Sequence, residues 1–153
     1  MGCGYEVPPR QAPADDAGYL EQLTKAIFQA GFSWPVIRDK WPHFQRAFEG
    51  FDIARVAAYG QADIERLLAD ERIVRNGRKI AATIQNARIL QGIIAEHGSV
   101  RAYLRSLDGL TYAKRRLELT RRFHHLGPTS AFCFLWCVDE DVPDWEQRRS
   151  EDV

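Results

Sequence analysis

Apolar side chains recur every three to four positions along nearly the whole chain, and no stretch of any length alternates with period two. That spacing lines one face of a helix and gives a strand no continuous face to bury. Leu20, Leu23, Ile27 and Ala30 follow it, and so do Ile37, Trp41, Phe44 and Phe48. Ile64, Leu67 and Leu68 mark a short helix, and a longer one from about Arg78 to Glu96 turns Ile80, Ile84, Ala87, Leu90 and Ile94 inward. Start signals agree with the periodicity. Ser33 precedes Pro35, Asp52 precedes "IARVAAY", and Ser99 precedes "VRAYLRSL", each a side chain suited to the open N–H groups of a first turn. Pro42 is expected to bend its helix. The reading is an all-α protein of seven or eight helices, and 153 residues suit one core. It places a single compact helical domain at 19–138, a flexible N-terminal segment at 1–18 and an acidic C-terminal tail at 139–153.

Several classes are set aside by what the chain lacks. No apolar run approaches the roughly 18 residues of a membrane span, and "MGCGYEVPPRQAP" has no apolar signal core. Met1-Gly2 suggests a myristoylation start, but Glu6 stands where that motif wants Ser or Thr. A cytoplasmic location is expected. Cys133 and Cys137, four apart in an apolar run, read as small buried hydrophobes on one helix face. They also have the spacing of half a metal site, but His43, His97, His124 and His125 do not complete one. Cys3 stands alone near the N-terminus. Nucleophile-elbow, P-loop and dinucleotide motifs are absent.

Net charge is zero, yet its distribution is uneven: +6 over residues 61–137 and −5 over 138–153. A basic body with an acidic end is a layout found in nucleic-acid-binding proteins, and solvated helix faces produce it too.

The stretch "RFHHLGPTSAFCFLWC" at 122–137 is the plan of a helix, a tight turn and a buried second helix. Gly127 lets backbone approach another molecule closely. Pro128 fixes φ at the helix start, where its missing N–H would have no partner anyway. The N–H groups of Thr129 to Ala131, the Thr129 and Ser130 hydroxyls and the helix dipole then suit a phosphate. The plainer reading is that Thr129 or Ser130 caps a core helix. In "QAGFSW" at 29–34, Gly31 ends a helix and leaves Phe32 beside Trp34. A large apolar residue on a turn is a wedge for a base stack, and an indole is a platform for an extruded base; both rings would equally fill a core. Arg72, Arg75, Arg78 and Lys79 gather ahead of the long helix, either as phosphate contacts or as a solvated cluster.

In this order, "FQAGFSWPVI", "FEGFDIARVAAYGQADIERLLADERIVRNGRKIAATIQNAR" and "FHHLGPTSAFCFLW" resemble the DNA-3-methyladenine glycosylase I family, within the helix-hairpin-helix glycosylase superfamily. The resemblance covers roughly residues 19 to 138, with Arg75, Lys79, Asn86 and Ala87 in family register. It implies an enzyme that flips an alkylated purine such as 3-methyladenine out of double-stranded DNA and hydrolyses the N-glycosidic bond without a lyase step. It further implies Phe32 as the wedge, Trp34 as a pocket wall and Gln29 beside it. Gly127, Thr129, Ser130, Arg75 and Lys79 would hold the DNA backbone.

Departures qualify it. Ala26 stands where the family has the carboxylate that hydrogen-bonds the flipped base. Asp144 and Arg148 stand, by counting, where two of the family's zinc ligands belong, so no metal and no cofactor are expected. Glu6 and Asp144 are the candidates for a replacement carboxylate, and Tyr5 for a further stacking ring. Three functions follow: a base excision repair glycosylase acting as a monomer, a DNA-binding or lesion-sensing module on the same scaffold, and a helical interaction domain.

Overall fold

The computed structural model describes residues 8–153. Tyr5 and Glu6 therefore lie outside the described residues. Eight α-helices and two short 3-10 turns account for the regular structure among these residues, with no strand. In chain order the helices are α1 (Asp16–Gln29), α2 (Trp34–Ala47), α3 (Ile53–Ala57), α4 (Gln61–Leu68), α5 (Gly77–His97), α6 (Val100–Ser106), α7 (Tyr112–Arg122) and α8 (Pro128–Cys137). No helix among the described residues is long and apolar enough to cross a membrane.

Local chemistry sets the helix starts. The Asp15 carboxylate accepts the Gly18 N–H at 2.9 Å and begins α1. Asp52 accepts the Arg55 N–H at 3.0 Å and begins α3. Asn76 accepts the Lys79 N–H at 3.1 Å and begins α5. Each satisfies a first-turn donor that the helix itself leaves open. Ser33 does precede α2, but its side chain makes no cap bond. Pro42 lies inside α2, which continues through it from Trp34 to Ala47.

The 21-residue α5 runs through the middle and packs on α1, α3, α4 and α6. On the other side α1 packs on α8 and α2. Between α1, α2 and the turn at Glu49–Phe51 lies an aromatic stack. Trp41 is 4.8 Å from Phe44 and 5.4 Å from Phe51, ring centre to ring centre, and Phe28 meets Phe44 edge-on at 4.8 Å. Phe28, Phe44, Phe48 and Phe51 are fully buried. This stack is the foundation of the turn that carries Phe32.

Both ends of the described chain are packed down. Gln11 N–H donates to Cys137 O at 3.2 Å, Trp136 Nε1 donates to Pro8 O at 3.1 Å, and the Arg10 guanidinium lies 4.4 Å over the Trp136 ring. The described part of the segment expected to be flexible is thus a strap along the end of α8. The acidic C-terminal stretch is likewise no free tail. Val138 is fully buried, Glu140 is buried and pairs with Arg105, and Trp145 packs edge-on against Phe132 at 5.4 Å. Arg116, itself buried, donates to Arg148 O at 2.9 Å and Ser150 O at 3.1 Å. Charge composition alone hid this, because apart from the Glu140–Arg105 pair the contacts come from the apolar Val138 and Trp145 side chains and from backbone carbonyls.

Candidate DNA-binding hairpin and base pocket

The segment α7, residues 123–127 and α8 forms the hairpin, and the two helices pack on each other. Its turn is held from outside by Asn86 of α5, a fully buried side chain. Asn86 Oδ1 accepts the His124 N–H at 2.7 Å, and Asn86 Nδ2 donates to His124 O at 3.2 Å. One amide thereby satisfies both backbone groups of a turn residue. His125 next takes φ +59°, the left-handed region that an L residue enters at a cost. We expect Asn86→Ala to lower stability by about 2 kcal/mol, since two part-buried backbone groups lose their partners and a buried amide is removed. Thermal unfolding measures this, and the unlatched turn should also become susceptible to proteolysis.

Gly127 is the residue ahead of α8, at φ −90° and ψ 178°, with no side-chain cap. Neither Thr129 nor Ser130 caps the helix; they fall inside its first turn. Ala131 N–H donates to Gly127 O at 2.8 Å, so it is committed within the helix. The open donors of this turn are therefore the N–H groups of Thr129 and Ser130, Pro128 having none. Ser130 is buried, and Thr129 Oγ1 receives a hydrogen bond from Arg149 Nε at 3.3 Å. Arg149 thus places a guanidinium beside the hairpin, a residue the sequence reading passed over because it sits in the acidic stretch.

The end of α1 forms the second feature. Gly31 takes φ +88° and the Phe32 N–H donates to Gln29 O at 2.8 Å, closing a tight turn. This leaves Phe32 exposed at 43% while Trp34, two residues on, is buried at 5%. Gln29 is buried at the end of α1.

Lys79 departs from its expected place on the DNA backbone. It is only 6% exposed, and its ammonium donates to Ala30 O at 2.7 Å and reaches Phe28 O at 3.5 Å. Burial holds its pKa below the ordinary lysine value. Its nitrogen also lies 5.8 Å from the Phe32 ring centre. The charge therefore caps the carbonyl end of α1 and steadies the Phe32 turn. Other cations of the basic stretch are similarly committed: Arg66 to Ala47 O and Arg88 to Ala57 O and Tyr59 O. Arg75 stays exposed.

Asp144 is exposed, at the start of the 3-10 turn Trp145–Gln147, and makes no cap bond. Ala26 is buried on α1. Among the described residues no three His, Cys, Asp or Glu side chains gather as a metal site. Cys133 is buried on α8, as the sequence reading expected. Cys137 is a free, buried thiol whose pKa burial pushes up to about 11.

An all-α core thus carries a helical hairpin with Gly127 ahead of its second helix and, on another turn, an exposed phenylalanine beside a buried indole. The chain belongs to the methyladenine glycosylase family, whose model matches residues 10–132. It is 43% identical over 74 residues to DNA-3-methyladenine glycosylase 1 of Escherichia coli (strain K12) and 27% identical over 74 residues to the DNA-3-methyladenine glycosylase of Haemophilus influenzae. Each match takes in 48% of this chain and spans 40% of the curated relative's length. The fold is similar to 3-methyladenine DNA glycosylase I from Staphylococcus aureus, with a TM-score of 0.74, 24% identity and coverage of 84% of this chain and 78% of that one. A further 3-methyladenine DNA glycosylase I structure superposes with a TM-score of 0.72 at 26% identity, covering 84% and 81%.

Proposed function

We propose that the protein is a monofunctional DNA glycosylase of base excision repair, which extrudes an alkylated purine from double-stranded DNA and hydrolyses its N-glycosidic bond. The observation that carries this reading is the Phe32 turn. An apolar ring is held out in solvent at 43% exposure by a left-handed glycine, a backbone hydrogen bond and the buried Lys79 ammonium. A fold that only needed to bury its aromatic residues has no reason to anchor one outside.

In this reading Phe32 enters the base stack, Trp34 walls the pocket with Gln29 beside it, and the Thr129 and Ser130 N–H groups grip a phosphate next to Gly127, with Arg75 on the backbone. A purine alkylated on a ring nitrogen already carries positive charge. When the bond from C1′ to the base nitrogen breaks, the electron pair neutralises the leaving base. Water adds its oxygen to C1′ and releases a proton. The barrier falls mainly through extraction and orientation of the nucleotide, and the reaction needs no cofactor. Glu6 and Asp144 are the carboxylates proposed to orient that water. The protein acts in this scheme as a cytoplasmic monomer.

The relatives' names support the reading, and one solved relative is a 3-methyladenine DNA glycosylase I bound to 3-methyladenine. Ala26 and the burial of Trp34 favour a second reading, a lesion-binding module without chemistry. Incubation of the protein with methylated genomic DNA, followed by mass identification of released bases, decides between them. Free alkylpurine is the expected product. Lesion-selective binding in the same tubes with no base released would leave the binding module.

A further inference from the structure

Three of the buried polar side chains, Lys79, Thr83 and Asn86, follow one another along α5 at spacings of four and three residues, which stacks them on one face of the helix. Burying a polar group costs free energy unless it is matched, and each of the three is matched to backbone. Thr83 Oγ1 donates to Lys79 O at 2.9 Å within α5 itself. The other two reach out of the helix. The Lys79 ammonium donates to Ala30 O, two residues before Phe32, at 2.7 Å and makes no ion pair among the described residues. Asn86 holds both backbone groups of His124, three residues before Gly127. Both bonds therefore end on the turns that carry the exposed ring and the hairpin glycine. Between the two anchors α5 has no Gly or Pro, and Ile80, Ile84 and Ala87 are buried in the core. At about 1.5 Å per residue, the anchors stand about 10 Å apart along one regular rod.

We infer that Lys79 and Asn86 are positioning residues that use α5 as a spacer, fixing the wedge and the phosphate grip at one separation so that base extrusion needs both anchors at once. The inference rests on the proposed roles of Phe32 and the hairpin. Opening a base step is unfavourable, and an inserted side chain drives it only by bending or parting the duplex around itself. A ring pushed into the stack does this only while the DNA backbone is held, because otherwise the duplex moves away from it. A grip whose distance to the ring drifts leaves the step closed. Release of either anchor therefore removes most of the effect, and release of the second adds little.

The test is a double-mutant cycle on the full chain, read by fluorescence. The probe is a duplex with a central tetrahydrofuran abasic analogue and 2-aminopurine as the adjacent base. It undergoes no base release, and 2-aminopurine brightens when its stack is opened. The wild type at saturating concentration should brighten it, with all proteins measured below the melting temperature of the least stable variant. Lys79→Met and Asn86→Ala should each lower the equilibrium constant for opening about tenfold, and the double variant also by about tenfold, since both act on one spacing. Their effects on melting temperature should instead add, because the two side chains share no partner. A double variant lowered about a hundredfold, the product of the singles, overturns the inference and makes the two residues supports of separate turns. Single variants that brighten the base as the wild type does overturn it as well. Phe32→Ala removes an exposed side chain, so the fold should persist and the brightening should vanish. Brightening that survives Phe32→Ala, or its absence in the wild type, overturns the inference together with the wedge reading.

Discussion

Replacing Gly127 with valine is expected to weaken binding to duplex DNA by about tenfold to a hundredfold while lowering stability by no more than about 1 kcal/mol. The two effects separate because nothing inside the protein requires glycine here. Its φ of −90° and ψ of 178° suit any residue, and a Cβ built there meets no atom within 4 Å. The small stability cost is that of a β-branched residue at a helix N-cap. What a side chain would block is approach from outside. The Thr129 and Ser130 N–H groups point out of the helix end, and charge-assisted contacts to a phosphate contribute about 1.5 to 3 kcal/mol each. Fluorescence anisotropy over a range of salt concentrations checks this. The logarithmic salt dependence should flatten by about one phosphate. Unchanged affinity would place the DNA elsewhere on the molecule.

The helices were legible because periodicity and caps are local signals. Asp52 accepts the Arg55 N–H as its position suggested, and Ile37, Trp41, Phe44 and Phe48 are all buried. The exposed Phe32 and the hairpin glycine were legible for the same reason, since each sits on a short turn with its own sequence signature. Charged residues were read less well. Lys79 looks like a solvated cation in "RNGRK", yet it lies across the end of a helix that finishes fifty residues earlier in the chain. Lys25 sits in an ordinary amphipathic stretch, and only the folding of α2 against α1 brings two indoles around it. In both cases the partner is a carbonyl or a ring, which carries no charge for a sequence to show. Asn86 belongs with them. Its amide replaces backbone hydrogen bonds for His124, a role with no local signature at all.

The acidic C-terminal stretch turns the same lesson into an expected result. On charge alone, removing residues 139–153 should unmask the basic surface and strengthen DNA binding. The packing predicts the opposite. Trp145, Val142 and Val153 are partly buried against the core, the Trp145 ring covers Phe132, and Val153 O accepts the Ala113 N–H at 2.7 Å. Losing that apolar contact costs about 3 to 5 kcal/mol, a fall in melting temperature of roughly 10 °C for a chain of this size. The Arg149 contact with Thr129 goes with it, so the hairpin loses a cation together with its support. The ion pair between Arg116 and Glu151 adds little to this loss, because the Glu151 side chain is 83% exposed. Trp145→Ala isolates the packing part and should account for much of the destabilisation. Asp144→Asn with Glu146→Gln isolates the charge part: both side chains are exposed, so the fold should persist, and any gain in DNA affinity should vanish at high salt. A truncated protein that melted like the full chain and bound DNA more tightly would show that the segment shields the surface and does not build it.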